Sequence, residues 1–152
     1  MAEMIDWRKL PVRRDCKFES LEELLCSTKG GAGDKKTFNT IKELMVFAAL
    51  VGYQLDKYEP ITAKAKTTPI LMDTYATSNH DEFIYLIALA KQPTLDILKD
   101  ENIRNAINIF ECYCNGGLNH IDNWIISNIG EQNKVNILFN KTLDFLIECE
   151  QV

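Results

Sequence analysis

Apolar residues crowd one stretch of this chain and stripe the rest. From Leu44 to Val51 no side chain is polar, and a helix that is apolar on every side must be enclosed by its own domain or by a partner. The run Thr40-Ile-Lys-Glu-Leu-Met-Val-Phe-Ala-Ala-Leu-Val-Gly-Tyr53 therefore predicts the central helix of a core. Thr40 and Glu43 have the spacing of a capping box, in which two side chains satisfy free N–H groups of the first turn. Gly52 predicts the stop, because glycine takes the left-handed conformation that ends helices and Tyr53 can fold back on the last turn. Fully buried, Leu44, Met45, Phe47, Leu50 and Val51 would contribute about 8 to 15 kcal/mol before conformational entropy is charged.

Around this helix the periodicity changes. Residues 1–19 carry Trp7, Leu10, Val12 and Phe18 around Pro11 without helical spacing, which predicts an extended or partly stranded arm anchored by Trp7 and Phe18. Ser20, followed by Glu22 and Glu23, predicts a short helix over 21–28, and Lys29-Gly-Gly-Ala-Gly-Asp-Lys-Lys36 a flexible loop. Residues 54–68 are polar, contain Pro60 and read as a loop with room for a short strand. Pro69 reads as the opening of a helical turn that directs Ile70, Leu71 and Tyr75 inward. Ser78 ahead of Asp81 and Glu82 starts a helix over 80–92 that packs on the first one. Pro93 stops it and leads a short turn through Leu98.

Asp100 then caps a helix whose Ile103, Ala106, Ile107, Phe110 and Cys114 lie on one face. Asn115-Gly116-Gly117 reads as a break, after which Leu118, Ile121, Trp124, Ile125 and Ile129 restart the period. A last helix, 132 to about 150, should bury Val135, Leu138, Phe139, Thr142, Phe145, Leu146 and Cys149. The pattern adds up to an all-α (mainly) fold, a compact bundle of about six helices around a buried central helix. An extended arm over 1–19 precedes a single helical domain over 20–152, with room for one short strand pair.

The totals support one domain, since 152 residues can bury a core without staples. No apolar run reaches the roughly 20 residues that span a bilayer, and the first residues lack the basic-then-apolar layout of a signal peptide, so a cytoplasmic protein without membrane contact is expected. Cys16, Cys26, Cys112, Cys114 and Cys149 are odd in number and read as reduced thiols. The net charge of −5 argues against coating nucleic acid by bulk electrostatics. It is unevenly spread: residues 1–66 hold 12 Lys+Arg against 10 Asp+Glu, and residues 67–152 hold 5 against 12. That asymmetry suits different neighbours at the two ends as well as it suits a solvated surface.

Little in the chain carries chemistry. The glycines of 30–33 lack the spacing and the preceding strand of a phosphate-binding loop. Cys112-Tyr-Cys114 has one intervening residue where zinc pairs have two to four, and on a helix the two thiols would lie about 200° apart, so only one should face the core. His80 and His120 fall at expected helix starts and read as surface residues. No Gly-x-Ser-x-Gly elbow is present, and the acids lie on helix surfaces and first turns, which disfavours a metal-dependent nuclease. No cofactor or metal is expected. The basic arm is the better candidate: Trp7, Arg8, Lys9, Arg13, Arg14 and Lys17 could grip phosphates or stack on a base, or pair with acids of the same chain or a partner. Lys57 after the central helix, with Asn115 and Asn119 at the glycine break, completes the candidate set for partner or nucleic-acid binding.

Three phrases carry a family resemblance: Phe38 to Tyr53, Phe83 to Leu98 with Ala88-Leu89-Ala90, and Phe110-Glu-Cys-Tyr-Cys-Asn-Gly-Gly-Leu118. Over roughly Phe18 to Trp124 the chain resembles the DNA phosphorothioation (Dnd) system-associated protein four family. The resemblance implies a small bacterial accessory protein of loci that place sulfur in the DNA backbone or restrict DNA lacking it, in defence against phage and plasmids. It assigns no catalytic residues. The resulting expectation is a non-enzymatic adaptor that binds a larger protein of the same defence operon, with homo-oligomers and DNA, reached directly or through the complex, as further partners. The alternative is a DNA-binding regulator or recognition subunit using the arm, and a nuclease is the weaker third reading.

Overall fold

A computed structural model describes residues 4–27, 37–131 and 133–150. The glycine-bearing stretch 29–36, read as a flexible loop, lies outside the described residues. In chain order the elements are strand β1 (Pro11–Asp15), helices α1 (Glu19–Leu25) and α2 (Ile41–Gln54), strand β2 (Thr67–Leu71), and helices α3 (Met72–Ala76), α4 (Asp81–Lys91), α5 (Ile103–Ser127) and α6 (Lys134–Glu150), with short 3-10 turns between. The fold is mainly α with one small sheet.

The enclosed central helix is α5 rather than α2. Fourteen of its 25 residues are buried, from Ile103 to Ile125, and α2, α4, β1 and α6 all pack on it. Asn115-Gly116-Gly117 does not interrupt it. Each glycine costs a helix interior about 1 kcal/mol, but here the missing side chains let α2 lie directly against the backbone. A Cβ built on Gly117 would meet the Ala48 carbonyl, one on Gly52 the Tyr113 carbonyl, and one on Gly116 the Lys57 carbonyl. Gly52 is therefore a contact residue, and α2 runs past it to Gln54. The left-handed stop falls on Asp56, at φ 54°. Lys57 N–H donates to the Gly52 carbonyl at 2.7 Å and Asp56 N–H to that of Tyr53 at 3.2 Å, which is the double closure of a Schellman end.

At the other end of α2, Thr40 Oγ1 accepts from Glu43 N–H at 3.3 Å. Glu43 Oε2 accepts from Asn39 N–H at 3.0 Å, one residue before the Thr40 N–H that the capping box predicts. The expectation that α2 is buried on all sides fails on its outer face, where Leu50 is 39% exposed and Phe47 and Val51 are only partly covered.

Pro69 opens no helical turn. It sits in β2, opposite Arg13 in the antiparallel register that runs from Pro11↔Leu71 to Asp15↔Thr67. Its missing N–H is harmless on a two-stranded edge, and the β-branched Thr67, Thr68 and Ile70 favour extension. The arm is thus tied into the body. Leu10, Val12 and Phe18 join the core, and Arg13 N–H reaches across to Glu111 Oε2 of α5 at 2.6 Å.

Helix α6 departs most from expectation. Of the residues expected on its buried side only Leu138 is fully covered. Ile137 is buried instead, and Phe139 stays 63% exposed. The helix meets the body along one narrow line, so a stripe that the period assigns to a core faces outward.

Candidate functional site

The arm does not gather its basic residues on one surface. Neighbouring strand residues point to opposite faces, so Arg13 lies exposed while Arg14 turns in. Arg14 Nε donates to Glu22 Oε1 with both side chains nearly buried, and its Nη1 reaches the Thr68 carbonyl at 3.3 Å. Arg8 Nη1 binds Asp73 Oδ1 at 2.8 Å and its guanidinium lies 4.8 Å from the Trp7 ring centre. Lys9 pairs with Asp6 at 3.3 Å, and Lys17 sits 5.0 Å over Phe18. Arg8, Lys9 and Arg14 thus pair with acids of the same chain.

Lys57, Asn115 and Asn119 do come together, around the loop that follows α2. Asn115 is buried and its Nδ2 donates to the Glu59 carbonyl at 3.0 Å. Asn119 Nδ2 donates to the Glu59 carboxylate, and the Lys57 carbonyl rests on Gly116. These contacts pin the loop to α5. His120, one turn on, lies inside α5 rather than at a helix start, with its ring 5.0 Å from that of Trp124. Partial burial lowers its pKa, helped by the Lys57 charge and opposed by Glu59.

Sequence reasoning missed an aromatic cluster on the same side of α5. Tyr58 and Tyr53 each meet Tyr113 edge-on, at 4.9 and 5.5 Å, and Lys91 Nζ lies 4.6 Å from the Tyr58 ring centre. Burial and a hydrogen bond with Cys112 push the Tyr58 hydroxyl up to about 12. Tyr53 and Tyr58 stand close together at the end of α2 and in the loop after it, but Tyr113 comes from α5, so no local spacing announces the cluster. Cys112 and Cys114 are both buried, against the expectation of one: with neighbours on every side, a helix hides thiols 200° apart equally well. Cys114 Sγ donates to the Met45 carbonyl at 3.1 Å, and burial raises both thiols above their ordinary pKa. Among the described residues no three His, Cys, Asp or Glu side chains form a group that could hold a metal ion.

A family model described as DNA sulphur modification system-associated protein 4 matches residues 12–145. The chain belongs to that family. No curated protein and no solved structure gives a significant match. The family span opens within β1 and closes within α6, so it takes in the α2–α5 crossing, the pinned loop and both strands. Trp7, Arg8 and Lys9 lie outside it. Among the described residues no helix is long and apolar enough to cross a membrane.

Away from the arm, two surfaces offer chemistry for a partner. One is a groove of about 610 Å³ between α2 and α6, floored by α5 and lined by Phe47, Leu50, Val51, Trp124, Phe145 and Leu146 among others. The other is the outer side of α4 with the 3-10 turn Leu95–Leu98 packed beside it. Ile84, Ile87 and Ala88 of α4 face the core, which turns Phe83 and Leu86 outward. Leu86 is 57% and Leu95 75% exposed.

Proposed function

We propose that this chain is a non-enzymatic accessory subunit of a bacterial DNA sulphur modification system with an anti-phage role, acting in the cytoplasm by binding a larger protein of that system. Family membership supports the setting. The observation that carries the binding role is the α4 surface, where Phe83, Leu86, Leu95 and Leu98 stand at the surface on and beside one helix. Large apolar side chains grouped on a rigid element are the usual anchors of a protein interface. A grip on DNA through the arm draws less support, since Arg8, Lys9 and Arg14 already have acidic partners within the chain.

The test is co-expression with the proteins encoded beside it, followed by affinity capture and gel filtration. One of them should elute with the chain in fixed stoichiometry, and the complex should be lost in the Leu86→Glu, Leu95→Glu double variant, whose exposed sites leave the fold intact by circular dichroism. Failure of every neighbour to bind, or undiminished binding by the double variant, refutes the assignment.

A further inference from the structure

We propose that α6 pairs antiparallel with α6 of a second copy of this chain. Val135, Phe139, Thr142, Leu146 and Cys149 recur at alternating intervals of four and three, the seam spacing of paired helices. The seam faces solvent: Val135 is 48%, Phe139 63% and Leu146 55% exposed, with Leu143 and Ile147 on its flank. Thr142, Leu146 and Cys149 also edge the groove against α2, so a helix laid on the seam would cover the groove mouth and approach Leu50.

Charge selects the occupant and its direction. Lys134 and Lys141 lie in the first half of α6, and Asp144, Glu148 and Glu150 in the second. The first turn has no acid and the last turn no base. That order opposes the helix dipole, which favours acids at the start of a helix and bases at its end. An antiparallel copy reverses the relation. Its acids then lie beside the positive start of α6 and its lysines beside the negative end, and the halves of unlike charge face each other. A parallel copy would set like beside like. With the two-fold axis at Thr142, Val135 lies opposite Cys149 of the second copy and Phe139 near Leu146. The exposed strip is on the order of 400 Å² per copy, within the size range of patches that mark contact sites. Two strips bury roughly 800 Å², less than the ~1,200 Å² of a standard complex, so the dimer should dissociate on dilution.

The purified full-length chain is the material for the test, which does not depend on the α4 surface or on any other protein. Sedimentation velocity from micromolar to near-millimolar concentration should show a monomer converting to a dimer. Phe139→Glu should raise the dissociation constant by about tenfold or more, while Leu86→Glu leaves it unchanged. Lys134→Glu with Lys141→Glu should weaken the dimer, and adding Asp144→Lys, Glu148→Lys and Glu150→Lys should restore it. Direction is read by oxidation with diamide, which takes up two protons and two electrons for each disulfide formed. At 1.5 Å rise per residue, the two Cys149 of an antiparallel pair are separated by about 21 Å and should stay unlinked. Val135→Cys should give a covalent dimer that disappears when Cys149→Ser is added. A folded chain that stays monomeric throughout, a Cys149–Cys149 bridge in the unaltered chain, or a dimer indifferent to Phe139→Glu would each overturn the proposal.

Discussion

Adding one methyl group at Gly117 tests the central feature of the fold, the contact between the backbones of α2 and α5. By propensity alone Gly117→Ala should stabilise, because alanine in a helix interior is favoured over glycine by about 1 kcal/mol. The structure reverses the sign. The new Cβ would lie 2.6 Å from the Ala48 carbonyl carbon, and ordinary contact begins at 3.4 Å, so the helices must part by at least 0.8 Å. A gap of that size forfeits roughly a quarter to a half of each dispersion contact across it. It does so between Leu44, Met45, Ala48 and Ala49 on one side and the buried line of α5 on the other. Overpacking usually costs about 1 to 3 kcal/mol. Here the obstacle is main chain in two helices, which cannot rotate away, so a net loss of about 2 to 4 kcal/mol is expected after the propensity gain. With an m-value of about 2 kcal/mol per molar urea, the unfolding midpoint should fall by about 1 to 2 M. Gly130, with nothing within 4 Å of a built Cβ, is the control, and Gly130→Ala should stay within about 0.5 kcal/mol of the parent. A Gly117→Ala midpoint equal to that of Gly130→Ala, or higher, would show that α2 and α5 do not touch as described.

Two further substitutions probe the ends of this contact and the arm. Asp56 holds a left-handed conformation as the C′ residue of α2, so Asp56→Gly should raise stability by about 0.5 to 1 kcal/mol and Asp56→Val should lower it by about 1 to 2 in the same urea assay. Arg14 and Glu22 are 10% and 8% exposed. Arg14→Met alone leaves a buried carboxylate and should cost about 3 to 5 kcal/mol, whereas Arg14→Met with Glu22→Leu should recover most of that loss. A double variant no better than the single would mean that the pair contributes more than it costs to desolvate.

Helix positions were legible wherever period and caps agreed. Thr40, Glu43 and the run after them place α2, and Phe83 to Ala90 places α4, because both signals are local. The glycines misled for a common reason. A sequence records that Gly52, Gly116 and Gly117 lack side chains but not why, and the backbone freedom that marks a turn is the same property that admits a second helix at contact distance. Only the partner distinguishes the two uses, and the partner stands about 65 residues away in the chain. The phrase Ala48-Ala49 together with Gly52 held a usable hint, since small residues spaced along one helix face mark a close crossing as readily as a terminus.

The same blindness to distance explains both the hidden aromatic cluster and the exposed seam. Tyr53, Tyr58 and Tyr113 become one site only when the loop after α2 is pinned to α5 through Asn115 and Asn119. In α6 the apolar arc is wider than the line along which the helix meets the body, so a correct period predicted a buried face that its own domain does not cover. A helix apolar over more than one side implies either a larger core or a second surface. For α2 the first holds over most of its length, and Leu50 marks where it stops. For α6 the second holds, and the two leftover faces meet at the groove. The apolar runs from Leu44 to Val51 and from Val135 to Leu146 were readable in the sequence, and both read as buried faces. Their use could be assigned only once α5, with fourteen buried residues, had taken the centre of the core.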